Sequence, residues 1–109
     1  WLNYILKMVK TQILDLIHDF KKELKRLGDI EFSRIKSKYR SKVDKRGNIS
    51  SAANNLKVFG DALKETTDNI TSIANKLYPK MGVDKESATK VLKERIEKYM
   101  AEIKNLSGF

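Results

Sequence analysis

The first 27 residues carry apolar side chains at the spacing of an amphipathic helix, and this pattern constrains the fold more than any other. The apolar stripe advances in steps of three or four residues, so its members share one helix face. They are Leu2, Leu6, Val9, Ile13, Leu16, Ile17, Phe20, Leu24 and Leu27. From Val9 onward, this stripe is predicted to lie in the core of a helical bundle.

Three later stretches have the same helical period, and no stretch alternates as a strand would. The predicted helices span residues 1–27, 30–46, 49–78 and 84–106. Short connections between them favour antiparallel neighbours. The sequence therefore predicts an all-α fold, a four-helix up-and-down bundle, with residues 1–109 forming a single helical domain.

Local signals set the predicted helix boundaries. Gly28 is expected to end the first helix, and Asp29 is expected to cap the second. Pro79 is expected to end the third helix because a proline restricts the residue before it, and Asp84 is expected to cap the fourth. Gly60 lies inside the predicted third helix, where it is expected to allow close packing against a neighbour.

The start of the first helix has more apolar surface than one core can bury. A second stripe, formed by Trp1, Tyr4, Ile5 and Met8, lies beside the first for two turns. Trp, Tyr and Met are favoured in protein interfaces, so these four residues are predicted to bind a partner or a second copy. The alternatives are insertion into a membrane interface or lining of a lipid pocket, or cover from other parts of this chain, such as an overhang of the third predicted helix and the tail at residues 106–109.

The predicted second helix is the most basic element. Residues 34–46 contain seven cations and one anion, in a chain of net charge +9. The candidates for binding an anionic partner are Arg34, Lys36, Lys38, Arg40 and Lys42. A membrane, a glycan and a nucleic acid all fit such a helix, and so does an ordinary solvated face.

Residue types argue against an enzyme. The chain has no cysteine and one histidine, His18, so a nucleophile activated by a neighbouring base has almost no components. His18 lies near Asp15 and Asp19 and is a weak candidate for a metal ligand, which would need further ligands from other helices. We expect no cofactor, no metal site and no catalytic residue.

The leading hypothesis is a non-enzymatic binding or assembly protein, which self-associates or binds a partner through its apolar N-terminal helix and turns its basic helix toward an acidic partner. A lipid or anionic-membrane binding protein and a nucleic-acid-binding protein are the alternatives. Three glycosylation sequons, at Asn48, Asn69 and Asn105, and a start at Trp1 favour secretion. The absence of cysteine favours a reducing compartment, so the compartment remains open.

Overall fold

The computed structural model describes the backbone of residues 1–107 and the side chains of residues 1–105. It is all-α, with three helices, and the described residues contain no strand. The helices are α1 (Leu2–Arg40), α2 (Ile49–Leu77) and α3 (Lys85–Ser107). The predicted four-helix bundle was therefore wrong in its helix count: the predicted helix 1–27 and the first part of the predicted helix 30–46 form one continuous helix, α1.

Gly28 does not end a helix, because it has a different role inside α1. Among the described residues only Gly47 and Gly82 have a positive φ, so Gly28 lacks the left-handed conformation of a helix-ending glycine. A Cβ built on Gly28 would lie 2.5 Å from the Tyr99 hydroxyl oxygen. The missing side chain therefore makes room for α3, and the helix continues.

Asp29 binds α3 instead of capping a new helix. Tyr99 donates a hydrogen bond from its hydroxyl to Asp29 Oδ1 at 2.7 Å. Its ring stacks on Phe32, with ring centroids 4.3 Å apart. The Arg95 guanidinium lies 5.5 Å from the centroid of the same ring. Gly28, Asp29 and Phe32 thus form the surface of α1 against which Tyr99 packs.

The connection between α1 and α2 begins earlier than predicted. α1 ends at Arg40 rather than at residue 46. The segment that follows is held by Asn55, which accepts a hydrogen bond from the Asp44 backbone N–H at 2.7 Å and donates one to the Asp44 carbonyl at 2.8 Å. Asn48 caps α2 by accepting from the Ser51 N–H at 2.8 Å.

The connection between α2 and α3 follows the sequence prediction closely. α2 ends at Leu77, two residues before Pro79. Gly82 has a φ of +70°, which allows the chain to reverse direction. Asp84 then caps α3 by accepting a hydrogen bond from the Ser87 N–H at 2.9 Å.

Only the C-terminal part of α1 contributes side chains to the hydrophobic core. Ion pairs and hydrogen bonds place α2 antiparallel to α1, and α3 parallel to α1. Burial on α1 begins at Phe20, which has no exposed surface. The largest buried apolar side chains are Phe20, Leu24, Phe32, Ile35, Ile70 and Tyr99. Val9 and Ile13 are 45% and 48% exposed, so the prediction that the core begins at Val9 was wrong.

Among the described residues, one buried side-chain polar atom has no hydrogen-bond partner. It is the hydroxyl oxygen of Thr66 on α2. Replacing Thr66 by Val keeps the shape of the side chain and removes the unsatisfied hydroxyl. We expect this variant to gain about 1 kcal/mol in free energy of unfolding, because a buried polar group without a partner destabilises the fold. Urea denaturation followed by circular dichroism checks this, and a loss of stability would show that the hydroxyl has a partner in solution.

Candidate functional site

The N-terminal part of α1 projects beyond the bundle as a helical arm, which we define as residues 1–16. The turn between α2 and α3 reaches α1 at Leu16: a Cβ on Gly82 would lie 3.8 Å from Leu16 Cδ1. The arm beyond this point is roughly 22 Å long, from its rise of about 1.5 Å per residue. It gives the molecule its elongated shape, 70 × 22 × 17 Å.

The arm is apolar on most of its circumference. Its large exposed apolar side chains are Trp1, Leu2, Tyr4, Ile5, Leu6, Met8, Val9, Ile13, Leu14 and Leu16. Trp1 is 97% exposed, and Leu6 is 56% exposed. Apolar patches of this extent on a protein surface mark interaction sites, because water contact with so much apolar area is unfavourable.

The four predicted interface residues all lie on this arm. Tyr4 is 67% exposed, while Ile5 and Met8 are about half exposed. The structure adds the first stripe to them, because nothing among the described residues covers Leu2, Leu6, Val9 or Ile13. The sequence predicted only Trp1, Tyr4, Ile5 and Met8 as interface residues, and it predicted that the first stripe lies in the core from Val9 onward.

The far end of α3 does not reach the arm. Ile103 lines a groove together with Ile35 and Tyr39 of α1, at the opposite end of the molecule. The tail at residues 106–109, considered as a cover for the arm, lies outside the residues with described side chains.

Three of the five predicted anion-binding cations are paired within the chain. Arg34 contacts Glu31 on its own helix and Glu65 on α2, the latter at 3.3 Å. Lys38 Nζ lies 3.2 Å from the Glu65 carboxylate. Lys36 Nζ lies 3.4 Å from the Glu102 carboxylate on α3. These contacts reduce the positive potential that the three side chains present to a partner.

Arg40 and Lys42 lie past these pairs, where α1 ends. Lys42 Nζ is 5.1 Å from the centre of the Tyr39 ring, a cation–π distance. Arg40 and Lys45 line a groove of about 270 Å³ whose walls include Tyr39 and Phe59. The groove depends on the loop between α1 and α2 and on α3, so no local sequence signal predicts it.

His18 is exposed on α1. The described residues contain no group of three or more His, Cys, Asp or Glu side chains placed to hold a metal ion. None of the three helices, over their described lengths, combines the length and hydropathy that a membrane span requires.

Glu65 contacts both Arg34 and Lys38, and its carboxylate makes the stability of the fold depend on pH. A hydrogen bond from Tyr39 lowers the pKa of Glu65, burial opposes it, and hydrogen bonds from Lys38 and Arg34 lower the pKa further. The same Tyr39 contact raises the pKa of Tyr39 to about 12. Since the folded-state pKa of Glu65 lies below its ordinary value, its stabilising effect is present above about pH 4.5 and is lost as the pH falls through the lowered pKa.

We therefore expect Glu65→Gln to weaken the acid dependence of stability. Between about pH 5 and pH 3, the wild-type protein should lose more free energy of unfolding than the variant. The difference should be below about 1 kcal/mol, because the cations around Glu65 are partly solvated. Urea denaturation at several pH values measures it, and equal acid dependence in both proteins would contradict a native-state role for the Glu65 carboxylate.

Comparisons with protein-family models, curated proteins and solved structures find no significant match to this chain.

Proposed function

We propose that this chain is a non-enzymatic binding or assembly protein that meets its partner through the arm of α1. The observation that carries the proposal is the exposure of ten large apolar side chains within the first 16 residues. In an ordinary bundle helix, apolar residues form a single stripe that the bundle covers. On the arm they surround most of the helix, and apart from Leu16, which lies close to the turn between α2 and α3, no described part of the chain covers them.

The energetics of an isolated helix support the same proposal. Short helices are marginally stable in water, and most helical stability in proteins comes from packing of an apolar face. The arm adds four turns to a stable helix with little packing within this chain. A partner that covers the arm would therefore stabilise its helical form and remove its apolar surface from water at the same time.

Hydrogen exchange measured by mass spectrometry tests this proposal. We expect the amides of residues 2–16 to exchange rapidly in dilute protein, and those of residues 24–40 to be protected. Protection of the arm should then increase, either with protein concentration or on addition of a partner surface. If the arm exchanges at the rate of an unstructured peptide under all these conditions, the proposal fails.

A membrane interface is the second candidate for the arm. The arm combines Trp1 and Tyr4 with the cations Lys7 and Lys10. Aromatic side chains favour the headgroup region, and cations favour anionic lipid. Exchange protection of the arm by phosphatidylglycerol vesicles at low salt would support this version, and absence of binding to such vesicles would exclude it.

Support for an acidic partner at the basic residues of α1 is weaker than support for an apolar partner at the arm. Because Arg34, Lys36 and Lys38 are paired with carboxylates, we propose that an acidic partner would use Arg40 and Lys42. A nucleic-acid complex of this kind would weaken steeply as salt increases. Replacing Arg40 and Lys42 by Gln should remove most of its affinity, whereas replacing Arg34 and Lys38 should remove less.

A further inference from the structure

We propose that the partner of the arm is a second copy of this chain, bound antiparallel along the arm. This inference rests on the proposed function and identifies the partner. It also identifies the contacting face, which is the stripe of Leu2, Leu6, Val9 and Ile13. A second copy is favoured by the heptad spacing of the stripe, by its apolar area and by the space around the arm.

The spacing of the stripe is that of a coiled coil. Leu2, Leu6, Val9 and Ile13 are separated by four, three and four residues. Alternating steps of four and three place side chains at the core positions of a heptad, where two helices interlock. All four are between 45% and 72% exposed, so this stripe is open along its whole length. We call the stripe of these four residues the seam.

The area of the seam is sufficient for a weak but specific dimer. Covering this face of the arm would bury about 500 Å² on each copy, or about 1,000 Å² in total, which is near the lower limit for specific interfaces. The two copies bury Leu, Ile and Val side chains against one another. A second copy also brings an apolar seam of equal length, which matches this one layer by layer.

Steric constraints exclude a parallel arrangement. In a parallel pair the second α1 would continue along the same face of the helix past residue 16. That face is occupied from Leu16 onward by the turn between α2 and α3 and by the core. Because α1 is unbroken from Leu2 to Arg40, the two helices could not separate at this point. An antiparallel pair directs each bundle away from the other.

The antiparallel register follows from the positions of Leu16 and Lys10. Pairing Leu2 with Ile13 of the second copy, and Leu6 with Val9, gives four symmetric layers that stop before Leu16. Beside these layers, Lys10 faces Asn3 of the second copy. A shift by one heptad would place Lys10 opposite Lys10 of the second copy, a like-charge contact. It would also require Leu16 in the interface, where the turn around Gly82 lies close to it.

This arrangement closes on itself. A two-fold interface uses the same surface on both copies, so assembly stops at the dimer. Two molecules 70 Å long that overlap along arms of roughly 22 Å would span about 120 Å. The dimer would therefore be a rod with one bundle at each end, which small-angle scattering can distinguish from a side-by-side pair.

Two matched variants test whether the seam holds the dimer. Leu6→Glu places a charge in the seam, while Thr11→Glu places the same charge at an exposed polar position on the opposite side of the arm. In sedimentation velocity at concentrations up to about 0.5 mM, we expect the wild type and Thr11→Glu to dimerise and Leu6→Glu to remain monomeric. A monomeric wild type, or equal behaviour of the two variants, would overturn the proposal. Leu6 lies outside the core, so folding of the bundle should survive, and thermal denaturation checks this.

Cross-linking tests the orientation, and the chain is free of cysteine. Leu2→Cys and Ile13→Cys proteins should form disulfide-linked dimers when mixed and oxidised, because these positions face each other across the antiparallel seam. Each variant alone should remain largely uncross-linked. Efficient cross-linking of Leu2→Cys with itself would instead show a parallel pair.

The outcomes also separate this inference from the proposed function. If the wild type stays monomeric while vesicles protect its arm from hydrogen exchange, the second copy is wrong as the partner and the arm remains a binding element. If the arm stays unprotected in both experiments, both proposals fail.

Discussion

Replacing Leu24 by Ala should lower the free energy of unfolding by about 2–5 kcal/mol, the range for a large apolar side chain removed from a well-packed core. Leu24 has no exposed surface and lies in the central cluster with Phe20 and Ile70. A domain of this size is stabilised by about 5–15 kcal/mol in total. The variant should therefore unfold at a much lower urea concentration, as followed by circular dichroism.

Leu6→Ala is the matched control, because Leu6 belongs to the same apolar stripe and undergoes the same substitution. Leu6 is 56% exposed on the arm, so the variant should lose less than about 0.5 kcal/mol in dilute protein, as surface substitutions do. Its effect should grow at concentrations where the arms associate. Equal losses at Leu6 and Leu24 in dilute protein would contradict a projecting arm.

This contrast shows what the stripe on α1 could predict. Helical period follows from the chain alone, and it correctly predicted an all-α fold and the face of α1 that carries Phe20 and Leu24. The same period continues through Leu2 and Leu6, where the described chain has nothing to cover it. Burial depends on where α2 and α3 begin and end in space, and a local pattern has no information about that.

The sequence led to wrong predictions for both Gly28 in α1 and Gly60 in α2. Gly28, followed by Asp29, has the sequence of a helix end and a new cap, but tertiary packing of Tyr99 uses both residues inside one helix. Gly60 was expected to allow close packing, and a Cβ there would meet nothing within 4 Å. That prediction was wrong because the reason for an interior glycine lies in the neighbouring helix, not in its own.

The basic residues of α1 show a similar limit. The sequence correctly places Arg34 and Lys38 one turn apart, where they share a face. It gives no sign that Glu65, from a helix that begins after the next loop, reaches both of them. Charge along one helix therefore overestimated the cationic surface that is open to a partner.

Replacing Gly28 by Ala should destabilise the protein. The added Cβ would lie 2.5 Å from the Tyr99 hydroxyl oxygen and 3.4 Å from two ring carbons. The ring has little freedom to move, since it stacks on Phe32 and bonds to Asp29. Overpacking of this kind costs about 1–3 kcal/mol, which exceeds the gain of up to about 1 kcal/mol from replacing a helical glycine.

Two further variants separate this clash from a general effect of glycine. Gly60→Ala has the same helical context without the clash, so it should stabilise the protein by about 0.5–1 kcal/mol. Tyr99→Phe alone should cost about 1 kcal/mol, for the lost hydrogen bond to Asp29. Combined with Gly28→Ala it should cost less than the sum of the two single changes, by about 0.5 kcal/mol or more, because the atom that clashes has been removed. Urea denaturation of the wild type, the two single variants at Gly28 and Tyr99, and the double variant measures this coupling. Strict additivity would mean that the Tyr99 hydroxyl does not lie against Gly28.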